Sequence, residues 1–143
     1  SLQAWANHGK FDGAGLDEEQ QTLRAFYRQL LRIARSEKAI TQGDMYDLTY
    51  AQGEGFNKHE QYAYIRKYKK QTLLVVLNFD DRQVDMQVRI PQDAFEYLKL
   101  EEESLAKAED LLTGTEYTFP LHPHTPICLT LPAWKGVILK IKG

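Results

Sequence analysis

Two histidine motifs are the first candidates for chemistry in this sequence. Asn7-His8-Gly9 could belong to a sugar-contacting loop, but a single histidine beside glycine is more often a loop contact. His122-Pro123-His124 supplies two zinc-ligand types, yet the proline makes the rings diverge and no third ligand lies nearby. We therefore predict plain loops at both places, with neither a metal site nor a cofactor.

Aspartate and cysteine give two further candidates. Paired carboxylates hydrolyse glycosidic bonds when they lie roughly 5–9.5 Å apart across a cleft, whereas adjacent Asp80 and Asp81 between strands are typical of a turn. Cys128 lies in an apolar run without a histidine placed as its base, which predicts a core thiol. As the only cysteine, it also excludes an intrachain disulfide. No catalytic residue is predicted, because no nucleophile, base and oxyanion site come together.

A row of tyrosines is the strongest candidate for ligand binding. Tyr62, Tyr64 and Tyr68 share one side of the segment "QYAYIRKYK". Aromatic rings can stack on the apolar C–H faces of sugars, so this row, together with Trp134, could bind carbohydrate. Aromatic residues of high strand propensity also pack in sandwich cores or under a neighbouring domain, and Arg66 in the same row favours an interface. Both interpretations stay open at this point.

Composition excludes several classes of protein. The 143 residues are 43% hydrophobic and 27% charged, with a formal net charge of -2, which is typical of a globular domain. Lysine and arginine alternate with acidic residues and glutamine, so a nucleic-acid partner is not expected. No apolar run is long enough to predict a membrane span. The chain begins at Ser1 without a signal-like segment, and we expect it to be processed or to be a piece of something longer.

One long helix is predicted near the start of the chain. Asp17 can cap "EEQQTLRAFYRQLLRIARSEKAI", acidic residues occupy its first turn, and Gly43 closes the segment. An apolar stripe of helical period runs along it, formed by Leu23, Phe26, Tyr27, Leu30, Leu31 and Ala34.

After Gly43 the apolar period falls to two. The alternation and the Gly, Pro and Asp turns predict about eight short strands, and the segment "QDAFEYLKLEEESLAKA" is predicted as a helical turn followed by an acidic loop. The predicted strands are "MYDLTYAQ", "QYAYIRKYK", "QTLLVVLNF", "QVDMQVRIP", "EDLLTG", "EYTFPL", "ICLTLP" and "KGVILKIKG". The fold class is therefore mainly β, an antiparallel β-sandwich of Greek-key type preceded by one amphipathic α-helix.

The order of these segments carries a family resemblance. "LRAFYRQLLRIARSEKAITQGDMYDL", followed by "YAYIRKYKKQTLLVVLNFDD" and a final "GVILKIKG", resembles the alpha-amylase superfamily, glycoside hydrolase family 13. The likeness covers residues 17 to about 90 well, and 108 to 143 more loosely. It implies that 1–43 holds an irregular segment and the last helix of a catalytic barrel absent from this sequence, and that 44–143 is a C-terminal β-sandwich domain.

The resemblance also implies a function. The family's catalytic aspartates and glutamate lie on barrel strands that precede this helix, and Gly9 replaces the acid of the family's Asn-His-Asp motif, so no catalytic role is transferred. The chain is expected to stabilise the barrel of a parent glycosidase acting on alpha-glucans. A carbohydrate-binding module that contacts starch or maltooligosaccharides is the alternative. By analogy with the family, an extracytoplasmic setting is expected.

The apolar stripe of the helix is expected to be buried against another surface. Phe26, Tyr27, Leu30 and Leu31 are predicted interface residues, because exposed apolar stripes of this size normally pack against something. We expect the helix to lie against the sandwich, or against a second copy of the chain, through Phe26, Leu30 and Leu31.

Overall fold

The computed structural model describes residues 18–142. Its helices are α1 (Glu18–Ser36), α2 (Lys38–Gln42) and α3 (Gln92–Leu98), with a 3-10 turn at Thr49–Ala51. The predictions for the irregular first segment, for Asn7-His8-Gly9 and for the Asp17 cap lie outside the described residues, as does the side chain of Leu23.

Eight strands form two antiparallel sheets. A six-stranded sheet has the order β1-β2-β3-β8-β5-β6, and a two-stranded sheet pairs β4 with β7. Strand β8 lies between β3 and β5 in the larger sheet, whereas β4 and β7 pair in the second sheet. The chain therefore crosses between the two layers, as in a Greek key. The predicted fold class is confirmed. The strands are β1 (Asp44–Asp47), β2 (Gln61–Tyr68), β3 (Gln71–Asn78), β4 (Val84–Val88), β5 (Glu103–Asp110), β6 (Glu116–Leu121), β7 (Ile127–Leu131) and β8 (Lys135–Lys142).

Strand β3 has two buried faces, because the six-stranded sheet is covered on both sides. Leu74 and Val76 point towards β4, β7 and α3, and we call this side of the sheet the sandwich face. Leu73, Val75 and Leu77 point the other way, and we call that side the helix face, because α1 and α2 cover it. The nearly continuous apolar run of β3 is the expected pattern for a strand buried on both sides.

The helical segment is broken at Glu37, where a single helix is predicted. Glu37 adopts extended backbone angles between α1 and α2. Its carboxylate Oε2 accepts a hydrogen bond from Gln71 Nε2 and lies 3.5 Å from Lys140 Nζ. These contacts with β3 and β8 offset the helical hydrogen bonding lost at the break.

The change from helix to strand falls at Gly43, as the change of period indicates. A Cβ at Gly43 would lie 2.3 Å from the carbonyl oxygen of Ala39 and 2.9 Å from that of Lys67. Glycine is therefore required by the close approach of the chain to α2 and β2.

Two further sequence predictions of local structure are wrong. The "EEESLAKA" region is strand β5 rather than an acidic loop, because its inward residues Ala106 and Ala108 are too small to give a strong apolar signal. Most of "EDLLTG" is then the turn after β5. Cys128 is exposed rather than a core thiol, since β7 alternates and Cys128 lies on its outer side.

Candidate functional site

The tyrosine row lies on the helix face of the sheet. Tyr62 and Tyr64 are opposite Leu77 and Val75 of β3, and all the tyrosines of the row pack partly buried against the cluster that α1 covers. The Tyr62 and Tyr64 rings contact each other, with centroids 5.5 Å apart and planes at 51°. Burial raises the pKa of both phenols above the ordinary 10.0, and the Asp47 carboxylate adds to the rise at Tyr62. These rings therefore contribute to packing under the helix.

The other two predicted sugar-contacting residues lie apart from this pair. Tyr68 is at the end of β2, with Lys69 Nζ 5.5 Å from its ring centroid. Trp134 lies in the turn between β7 and β8 with φ 58°, and its buried Nε1 has no hydrogen-bond partner among the described residues. The structure thus brings Tyr62 and Tyr64 together but does not align all four rings as one platform. Sugar binding by this set stays a prediction.

Helix α1 lies against the sandwich through one side and exposes the other. Phe26 is buried against the sheet, and Leu30 and Ile33 pack beside it. Leu31 does not join this contact, because each residue turns the helix by about 100°, and its side chain is 62% exposed. Tyr27 lies at the border, where burial raises its pKa. The expected packing therefore involves Phe26 and Leu30, and the expectation for Leu31 against the sheet is wrong.

A polar cluster fixes the helical break to the sheet. Gln71 Oε1 accepts a hydrogen bond from Ala39 N at 2.7 Å, while its amide donates to Glu37. Arg66 donates through Nη1 to the carbonyl oxygen of Ile40. Arg66 therefore belongs to the helix–sheet interface, in agreement with the interface interpretation of its row.

The outer side of α1 carries positive charge beside the exposed leucine. None of its arginines forms an ion pair with a described side chain. Gln29 Nε2 donates to the carbonyl oxygen of Leu112 at 3.1 Å, which ties the helix to the turn after β5. A shallow groove of 220 Å³ along this side is lined by Ala25, Arg28, Gln29 and Arg32. The arginines are Arg24, Arg28, Arg32 and Arg35.

Three of the groups that could perform acid, base or metal chemistry are engaged in structural contacts. Asp80 Oδ1 accepts a hydrogen bond from Arg82 N at 3.2 Å, which confirms the turn predicted at the paired aspartates. His122 Nδ1 lies 3.0 Å from Glu102 Oε1 on the surface. Buried Asp110 accepts hydrogen bonds from Leu112 N and Ile138 N, both at 3.1 Å.

Neither a metal-ligand cluster nor a membrane-spanning helix is found in the part of the chain that the structure describes. Residues 18–142 contain no group of three or more His, Cys, Asp or Glu side chains placed to hold a metal ion. None of the helices within that range has the length and hydropathy needed to cross a bilayer. A cleft of about 260 Å³ lies at the end of the β2–β3 hairpin, and its lining includes Lys67, Lys70, Lys142, Glu101 and Glu103.

A second aromatic cluster was not found from the sequence. Tyr46, Tyr50 and Tyr97, which we call the tyrosine trio, come from β1, the 3-10 turn and α3. The Tyr46 ring centroid lies 6.3 Å from that of Tyr50 and 5.8 Å from that of Tyr97. The hydroxyls of Tyr46 and Tyr50 are 2.6 Å apart, and this hydrogen bond is the main cause that raises the pKa of Tyr46 to about 12. In the sequence, only the spacing of four residues between Tyr46 and Tyr50 indicates that two of these rings could be neighbours. Tyr97 is far away in sequence, and the tertiary fold brings it to Tyr46.

The architecture defines a β-sandwich domain with a helix packed on one face of its larger sheet. Residues 56–142, more than half of the chain, match the family model for the alpha amylase C-terminal all-beta domain. The chain belongs to this family, as the resemblance of its segments indicates. A comparison with curated protein sequences gave no match.

Solved structures of similar fold include several amylases. AmyP in complex with maltose is 16% identical, with a TM-score of 0.56, and the match covers 92% of this chain and 23% of AmyP. The alpha-amylase from Geobacillus thermoleovorans complexed with acarbose is 12% identical, with a TM-score of 0.59 and coverage of 91% and 24%. The maltogenic alpha-amylase AmyB from Thermotoga neapolitana is 11% identical, with a TM-score of 0.58 and coverage of 92% and 27%. At these identities the likeness establishes the fold, and the chain spans about a quarter of the length of these proteins.

Proposed function

We propose that this chain is the non-catalytic C-terminal domain of an alpha-amylase-type glycoside hydrolase acting on alpha-glucans, and that it stabilises the catalytic barrel. Family membership supports the domain assignment. The maltose and acarbose in the similar amylase structures support the substrate class. In this proposal residues 1–43 hold the last helix of the barrel, and 44–143 form the sandwich domain.

The observation that carries the proposal is that α1 has one buried side and one exposed apolar side. Its inner side is buried through Phe26, whereas Leu31 on the outer side is 62% exposed. A large aliphatic side chain gains about 1.5–3 kcal/mol when it is fully buried, so Leu31 is well placed to contact another body. The arginines along the same side, which form no ion pair with a described side chain, can meet acidic side chains of the barrel.

The tyrosine row fits this scaffold role. Its rings pack against the apolar cluster under α1, and Tyr68 at the end of the row is paired with Gln71 of the polar cluster. An aromatic layer of this kind stiffens the contact between helix and sheet, because each ring has a large apolar area and few rotatable bonds. The row is therefore assigned to the seam between helix and sandwich rather than to a sugar.

The test compares Leu31→Asp with Leu105→Asp, a matched control at a leucine of β5 that is 60% exposed. In the 143-residue chain, neither change should alter the melting temperature. In the longer enzyme that carries this chain, Leu31→Asp should lower the melting temperature by several degrees, because it places a charge in the proposed interface, while Leu105→Asp should have little effect.

Two results would contradict the proposal. One is an equal response of the longer enzyme to both substitutions. The other is a dimer of the isolated chain, seen by analytical ultracentrifugation and dissociated by Leu31→Asp, because a second copy would then be the cover of the helix. Leu30→Asp serves as a positive control for the inner side, and it should destabilise the isolated chain as well.

A further inference from the structure

We propose that the tyrosine trio of Tyr46, Tyr50 and Tyr97 is a glycan-stacking site that takes an alpha-glucan chain. The inference depends on the proposed function in two respects. The proposed function supplies the choice of an alpha-glucan as ligand, and it places the barrel on the outer side of α1, which leaves the other side of the domain open.

The trio is an exposed aromatic surface on a fixed base. Tyr50 is 58% and Tyr97 61% exposed, and Tyr46 lies between them, partly buried against the sandwich core. Large exposed aromatic groups that contact one another are uncommon on a surface without a binding role. Their rings are amphipathic, so they can accept a ligand that has both apolar faces and hydroxyl groups.

Local hydrogen bonds hold the backbone around Tyr50 in position before any ligand arrives. Thr49, next to Tyr50, donates through its hydroxyl to the carbonyl oxygen of Ala63 at 3.2 Å and accepts from Ala63 N at 3.0 Å. Thr49 N also donates to Asp47 Oδ1 at 2.9 Å, and Lys58 Nζ donates to the carbonyl oxygen of Tyr50 at 3.2 Å. A surface that is already ordered loses less conformational entropy on binding.

The chemistry of the trio matches a neutral sugar. The ring faces can cover the C–H faces of glucose units, and the phenol hydroxyls can donate to or accept from sugar hydroxyls. Besides the main effect of the Tyr50 hydroxyl, the Asp93 carboxylate, on the same helix as Tyr97, makes a small contribution to the raised pKa of Tyr46.

The angles between the rings favour a curved chain. The Tyr46 plane is tilted by 46° to that of Tyr50 and by 50° to that of Tyr97. Successive glucose units of an α-linked chain turn relative to one another, so their faces meet rings that are tilted. A β-1,4-linked chain is more extended, so its successive units would follow the three closely spaced, tilted rings less well.

The trio lies on the side of the sheet opposite to α1. Tyr46 is paired with Ile65, whose side chain belongs to the sandwich core, so both residues project from the sandwich face. A body that docks on the outer side of α1 therefore leaves the trio open. The site can hold a glucan strand at a distance from the barrel contact.

The test is an NMR titration of the 143-residue chain with maltoheptaose and, separately, with cellohexaose. We expect saturable shifts at the trio with maltoheptaose and clearly weaker ones with cellohexaose. Tyr50→Ala and Tyr97→Ala should each weaken maltoheptaose binding about tenfold. Tyr50→Phe, which keeps the ring, should retain most of the affinity, and Leu105→Ala should retain all of it.

Several results would overturn the inference. They are the absence of saturable binding to the wild-type chain, equal affinity for both oligosaccharides, or unchanged maltoheptaose affinity in a Tyr50→Ala/Tyr97→Ala variant. Because both tyrosines are exposed, the variants should fold, and an unchanged amide spectrum elsewhere checks this. The barrel contact is tested independently by Leu31→Asp, so either proposal can fail without the other.

Discussion

The two faces of the six-stranded sheet are buried in different ways. On the sandwich face, Leu74, Val76 and Leu139 are completely buried, and the buried amide of Asn78 has a partner for each of its polar atoms. On the helix face the tyrosines are partly exposed, and polar contacts such as Glu37–Gln71 join one side chain to another. The sandwich face resembles a domain interior, whereas the helix face resembles an interface.

This difference suggests how the domain is built. The sandwich face closes on itself through two sheets and α3, and it needs no other body to exclude water. The helix face is covered by a segment whose outer side is still exposed at Leu31. We therefore infer that stability comes mainly from the sandwich face, and that attachment to another domain depends on the helix face.

The largest effect is expected from Asn78→Asp on the sandwich face. Asn78 Nδ2 donates to the carbonyl oxygens of Arg82, Leu131 and Pro132 at 3.0–3.3 Å, and a carboxylate would face three acceptors. We expect a loss of roughly 3–5 kcal/mol in the free energy of unfolding, measured with urea.

Two controls sharpen this prediction. The loss should shrink towards about pH 4, where a protonated carboxyl can donate again. Asp81→Asn, at a side chain that is 66% exposed, should change little. If Asn78→Asp changed the free energy of unfolding as little as Asp81→Asn does, the sandwich face would not be the more tightly packed of the two faces.

A direct comparison of the faces is given by Leu74→Ala and Leu30→Ala. Leu74 is fully buried, so its truncation leaves a cavity and should cost about 3 kcal/mol. Leu30 is only partly buried on α1, so the same change should cost about 1 kcal/mol, because neighbouring side chains and water can fill the space. Equal losses in denaturant unfolding would show that both faces are equally important to the isolated chain.

A smaller effect is expected at the polar cluster of the helix face. Glu37→Ala removes the acceptor of Gln71 Nε2 and the partner of Lys140. We expect a loss of about 1 kcal/mol, because the cluster is partly open to water. Glu37→Gln keeps a hydrogen-bond acceptor and should recover part of the loss. If Glu37→Ala leaves the thermal unfolding curve unchanged, the cluster does not hold the helical break.

The smallest effect is expected from alkaline pH. Burial raises the pKa of Tyr64 above 10.0, so the folded chain holds this proton more tightly than the unfolded chain does. The resulting stability is complete below pH 10 and is lost as the pH rises above it. In the Tyr64→Phe variant, the free energy of unfolding should decline less above that pH than in the wild-type chain. An equal decline in the two proteins would mean that Tyr64 is not buried by the helix.

The sequence predicts the elements better than their contacts. The apolar period indicates α1, and seven of the eight strands follow from alternation and turn residues such as Asp80. Strand β5 was missed because Ala106 and Ala108 carry too little apolar surface. The sequence stripe contains both Leu30 and Leu31, although neighbouring residues of a helix point about 100° apart. The stripe alone does not show which of the two faces the sheet, so the prediction placed Leu31 there wrongly.

The candidate sites depend on tertiary structure to different degrees. The row of Tyr62, Tyr64 and Tyr68 is visible from the period of β2, but its cover by α1 is not. The trio of Tyr46, Tyr50 and Tyr97 combines two residues four positions apart with one from α3, which no local pattern connects. Sequence reasoning thus identified the aromatic strand and missed the exposed cluster.

Amide hydrogen exchange tests the distinction between the faces most directly. It should be measured in the isolated 143-residue chain and in the parent enzyme that we propose for it. The account predicts that amides of α1 exchange more slowly in the enzyme, because its outer side at Leu31 becomes covered, while amides of β3 and β8 exchange at similar rates in both. Equal protection of α1 in the two proteins would contradict the account.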